Sequence, residues 1–116
     1  MSASNLNESY PQEELERLIL GVILTTFKLS GIQKLRPEHF EDTRNQAIFE
    51  IMLDLGETKQ AIDEVKIAKI LKHRGVRQEG VRYLEQLKTY KMNSGSFEKL
   101  VDLLSGRYLK RRLGAE

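Results

Sequence analysis

The chain has 116 residues, 40% hydrophobic and 31% charged, with a formal charge of +2 at pH 7, the make-up of one water-soluble domain. It contains no cysteine, which excludes a disulfide framework and thiolate metal or redox chemistry. The opening MSASNLNESY lacks the basic-then-apolar order of a secretory signal, and the longest apolar run, Leu18 to Leu24, falls far short of the ~20 residues of a membrane span, so a cytoplasmic protein is expected.

Two prolines, eight glycines and the lack of any alternating segment predict an all-α fold of about five to six helices. Ser9-x-x-Gln12 has capping-box spacing, with Pro11 near the first helical position and Glu13, Glu14 and Glu16 suited to the positive end of the helix dipole. Leu15, Leu18, Ile19, Val22 and Ile23 then recur as one apolar stripe, and Gly21 inside it implies close approach by another helix. A short helix is predicted over Phe27 to Leu35, then a turn opened by Pro37 with Phe40 anchored in the core. Thr43-x-x-Gln46 repeats the capping spacing and starts a helix carrying Ile48, Phe49, Ile51, Met52 and Leu55, ended by Gly56 and wide enough in its apolar arc to be central.

Asp63 caps a helix with Val65, Ile67, Ala68, Ile70 and Leu71, closed by Gly75. A further helix is predicted from about Gln78 to Tyr90, then a loop at KMNSGS. From Ser96 a last helix carries Phe97, Leu100, Val101, Leu104 and Tyr108 at helical spacing, with no stop before Gly114.

Catalytic constellations are missing. His39 and His73 stand 34 positions apart with no cysteine beside either, and neither a Gly-x-Ser-x-Gly elbow nor a phosphate-binding Gly-rich loop occurs. Glu13-Glu14 and Glu41-Asp42 lie at helix starts, where the dipole accounts for them. The chain therefore reads as non-catalytic, with no metal or cofactor of its own.

Charge is unevenly spread: residues 1–64 hold 6 Lys/Arg against 12 Asp/Glu, and residues 65–116 hold 13 against 5. Two readings of the basic half stay open. Arg107, Lys110, Arg111 and Arg112 form either a nucleic-acid contact or the solvated face of a helix. The stretch VKIAKILKHRGVRQEGVRYLEQLK also has the outline of a helix-turn-helix, in which Arg77, Gln78 and Arg82 would face bases while Lys72 and Lys91 touch phosphates. Any α-hairpin with glycine in its turn gives the same outline, and Glu79 opposes a phosphate-rich surface.

In order, Glu14-Leu15-Glu16 with Leu20-Gly21, then Leu35-Arg36-Pro37-Glu38-His39-Phe40, Ile48-Phe49, Asp63 with Leu71-Lys72-His73-Arg74-Gly75, Tyr83-Leu84-x-x-Leu87 and Arg111-Arg112-Leu113 resemble the N-terminal domain of DnaB-type replicative DNA helicases, bacterial or phage. The resemblance spans residues 10 to 113. Leu15 stands where the family carries a small residue, and TTFKLSGIQ and NSGS also depart from its pattern, which marks a divergent member.

The resemblance implies a tail over 1–9, a helical domain over 10–92 and the first arm of a helical hairpin over 93–116, with the ATPase motor, its ATP and its magnesium on a separate domain. It implies a non-catalytic assembly role: self-association as dimers or a hexameric collar, docking of primase and in some systems a helicase loader, and weak contact with single-stranded DNA. Phe97, Leu100, Val101, Leu104 and Tyr108 would be the seam meeting a second helix or subunit, with Leu109 and Leu113 also turned to a partner. Alternatives are the helicase-binding C-terminal domain of primase, and a stand-alone helix-turn-helix regulator.

Overall fold

The computed structural model describes residues 10–26, 34–75, 79–90 and 97–114. These hold helices α1 (Gln12–Thr26), α2 (Thr43–Glu57), α3 (Glu64–His73), α4 (Glu79–Leu87) and α5 (Phe97–Gly114), with one 3-10 turn over Pro37–His39 before α2 and no strand among the described residues. No helix there is long and apolar enough to cross a membrane. The tail over 1–9, most of the helix predicted over 27–35, the caps at Ser9 and Ser96 and the loop over 91–96 lie outside the described residues.

α1 buries more than one stripe. Leu15, Leu18, Ile19, Leu20, Ile23 and Leu24 are all in the core, while Val22, expected inside, is only partly covered. The reason is position: α1 packs against α2, α4 and α5, so an apolar arc wider than a single seam is covered. The centre is thus shared by α1 and α2 rather than held by α2 alone. Gly21 makes the approach of α4 possible, because a Cβ there would stand 2.3 Å from the Leu87 carbonyl oxygen and 3.0 Å from that of Tyr90.

The cap of α2 is Asp42, whose side chain accepts from Arg44 N at 2.8 Å, and not Thr43 as the spacing suggested. Gln46 instead reaches back to donate to the Phe40 carbonyl at 2.6 Å, fixing the fully buried Phe40 against Phe49. The helix runs through Gly56. Thr58 and a left-handed Lys59 (φ 58°) turn the chain, the Thr58 hydroxyl satisfying the Asp54 carbonyl at 3.0 Å. Asp63 caps α3 as expected, accepting from Val65 N at 2.8 Å, and Gly75 takes the left-handed φ of 88° that ends it.

Candidate interaction surface on the last helix

α5 is two things along its length. Leu100, Val101 and Leu104 are buried in the same core as Leu15, Ile19 and Ile23 of α1, with Phe97 packed partly against it. These four belong to the seam expected to meet a second helix or subunit, and within this chain Leu100, Val101 and Leu104 share the core with α1. The physical reason is that α1 carries a wide apolar arc, part of which α5 covers. The first turns of α5 thus share the core of the helices before them.

Beyond Leu104 polar ties take over. Arg107 donates to the Tyr10 carbonyl and to Gln12 Oε1, and the Tyr108 hydroxyl donates to the Glu38 carboxylate. Arg111 pairs with Glu41 at 2.9 Å and reaches the His39 carbonyl at 3.4 Å. On the other side, Lys34 meets Asp102 at 2.6 Å, which raises the lysine's pKa. Tyr108 stands edge-on to the His39 ring, centroids 4.4 Å apart. Its hydroxyl holds the Glu38 carboxyl below its usual range. Burial lowers the His39 imidazole from its ordinary 6.5, and its Nδ1 accepts from Arg36 N at 2.7 Å.

This geometry decides the fate of the basic cluster. Arg107 and Arg111 are turned onto the chain's own carbonyls and Glu41. Arg112 lies over the Tyr108 ring, 5.8 Å from its centroid, and Lys110 projects into solvent. Of the four cations, Lys110 and Arg112 are the two that are exposed. Leu109 and Leu113, one helical turn apart, are 56% and 76% exposed and form the apolar face that the outer end of α5 offers.

In the helix-turn-helix outline, α3 and α4 do pack together around Gly75. Arg74 is held by Glu50 at 2.6 Å, and Tyr83, Leu84 and Leu87 are buried. Lys72 and Arg82 are exposed, while Arg77, Gln78 and Lys91 lie outside the described residues.

One constellation escaped the sequence reading. Glu16, given there only a dipole role, is fully buried. Its oxygens accept from Gln12 Nε2, Glu41 N and Asn45 Nδ2, each at 2.7 Å, and from Asp42 N at 3.4 Å. Asn45, also buried, accepts the Tyr83 hydroxyl proton at 2.5 Å, and Arg44 covers the Tyr83 ring at 4.0 Å. Burial raises the Tyr83 phenol's pKa. One polar chain thereby ties α1, α2 and α4. The available signal was phase: Glu16 stands three, four and seven residues before Ile19, Leu20 and Ile23, on the buried face.

A family model described as the DnaB-like helicase N-terminal domain matches residues 8–105. Among solved structures, the crystal structure of the N-terminal domain of DnaB helicase from Mycobacterium tuberculosis is similar in fold. Its TM-score is 0.76 at 24% identity, over 88% of this chain and 74% of that one. No curated protein matches.

Proposed function

Because the chain belongs to the DnaB-like helicase N-terminal domain family, by the match over residues 8–105, we propose that it is the assembly and docking domain of a hexameric replicative DNA helicase. In this reading ATP hydrolysis takes place on a separate motor domain, and this domain contributes geometry: it sets how subunits pair in a collar and offers primase, or a loader, a surface in the cytoplasm. The observation that carries the reading beyond the family is the divided α5. Its inner turns are fixed in the core, while Leu109 and Leu113 stand exposed on its outer turns, as an arm awaiting a second helix would. The family match favours this over the primase-domain alternative, and the self-directed Arg107 and Arg111 favour it over a dedicated DNA reader.

The test is titration calorimetry of the domain against the C-terminal domain of primase from the same source, at ~150 mM salt so that loose charge contacts are screened. Sedimentation of the domain alone runs beside it. Saturable binding supports docking, and association that Leu109→Glu with Leu113→Glu abolishes supports assembly. No heat overturns the first role, and a monomer at every concentration overturns the second.

A further inference from the structure

A second surface lies on α3 and α4 and shares no residue with α5. Val65, Ala68, Lys69 and Lys72 follow at i, i+3, i+4 and i+7 along one stripe of α3, and Leu84 of α4 closes the floor beside them. Together with Glu64 and Glu85 they line an open cleft of about 270 Å³ whose wall is almost all carbon. Val65 is 56% exposed there, one of three large apolar side chains so placed among the described residues; the other two are Leu109 and Leu113. Nothing in the packing of α3 requires it, since Ile67 and Leu71 supply that helix's buried face.

The cleft opens onto a basic hollow lined by Lys69, Lys72 and His73. Two ion pairs flank α3: Lys88 pairs with Glu64 at 2.6 Å, and Arg74 with Glu50 at 2.6 Å. Lys66, Lys69 and Lys72 make no ion pair among the described residues. An apolar slot beside unmatched cations is complementary to a segment with one apolar face and acidic flanks. A nucleic acid would use the lysines but leave the carbon-walled slot unfilled.

We infer that the α3–α4 cleft is a docking site for an acidic amphipathic helix of a partner protein, its apolar side chain against Val65, Ala68 and Leu84 and its carboxylates over Lys69 and Lys72. The occupant approaches from outside the bundle, so the site works without rearrangement of the core. It is separate from the collar reading and stands or falls without it.

The test uses fluorescence anisotropy of a labelled synthetic helix bearing leucines at i, i+4 and i+7 flanked by glutamates. A peptide of the same composition in scrambled order and a labelled single-stranded oligonucleotide are the comparison probes. The expected result is saturable binding of the first peptide, weakened about tenfold or more by scrambling, by Val65→Asp and by Lys69→Glu with Lys72→Glu. Val65→Ser, milder at an exposed position, should weaken it in the same direction, with circular dichroism confirming that each variant is folded. Equal binding of the scrambled peptide would reduce the site to bare charge and overturn the proposal. Unchanged binding by the folded variants would place it elsewhere, and no saturable peptide binding, or binding of the oligonucleotide alone, would overturn it as well.

Discussion

Replacing Glu16 by alanine should be among the most damaging single changes in this domain. The side chain is fully buried, and four N–H donors converge on its two oxygens: Gln12 Nε2, the backbone of Glu41 and Asp42, and Asn45 Nδ2. Gln12 is only partly buried and can turn to water, and the bonds from Glu41 N and Asp42 N are partly buried, whereas the Asn45 amide lies in the core. Each stranded buried donor costs about 1–3 kcal/mol, and the contact to Asp42 N, at 3.4 Å, belongs at the low end. With one buried donor stranded and two partly buried ones, the loss should be about 2–4 kcal/mol, against the roughly 5–15 kcal/mol a domain typically has. Glu16→Gln should lose about 1–2 kcal/mol, because Asn45 can rotate its amide to offer Oδ1 to the new NH₂ while its own NH₂ donates to the Tyr83 oxygen. Urea unfolding followed by far-ultraviolet circular dichroism measures both, and amide exchange at Glu41 and Asp42 should quicken in the alanine variant. If Glu16→Ala costs less than about 1 kcal/mol, no more than many surface changes, the four-donor account is wrong.

Gly21→Ala should destabilise by about 2–4 kcal/mol, although alanine is the better helix former, because its Cβ meets the Leu87 carbonyl at 2.3 Å; a raised urea midpoint would contradict this. For His39 the sign follows from burial. The unfolded imidazole takes a proton as pH falls through 6.5, the buried one only at lower pH, so this contribution is full above 6.5 and is lost as pH falls through the folded value. Urea midpoints should therefore drop between about pH 7.5 and pH 5.5, and His39→Gln should flatten that drop; Glu38, a carboxyl with a lowered pKa, acts only at more acid pH. The two halves of α5 should part company: Leu104→Ala should cost about 2–5 kcal/mol, while Leu109→Ala, at a 56% exposed site, should stay within about 0.5 kcal/mol by the same assay.

What could be read in the sequence was what repeats or punctuates. The Asp63 cap, the Gly75 stop, the Phe40 anchor and the close approach at Gly21 are local signals, each set by residues within a turn of one another, and each appears where it was expected. Partners across the fold were not readable in that way. Leu100, Val101 and Leu104 announce an apolar stripe, but nothing in their spacing says whether α1 or another subunit will cover it. Arg107 and Arg111 are likewise basic in any reading, and only the return of Tyr10 and Glu41 to the same end of α5 shows where their charge is used. Glu16 reads as an ordinary acid at a helix start because the dipole accounts for it so readily, although its phase puts it on the buried face. Asp42 took the cap from Thr43 because two candidate capping side chains stood side by side and only the backbone path chooses between them.

The divided helix also has a mechanical meaning. α5 is a single rod of 18 residues, about 27 Å long. A tug on its tip is taken first by the contacts of Arg107, Tyr108 and Arg111, short-ranged bonds that yield over an ångström or two. Behind them the Leu100, Val101 and Leu104 row must slide or peel along α1. The rod is therefore a lever with a latch in its outer half and its pivot inside the core. Torque applied from outside turns the whole body once the latch holds, and swings the tip alone once it opens.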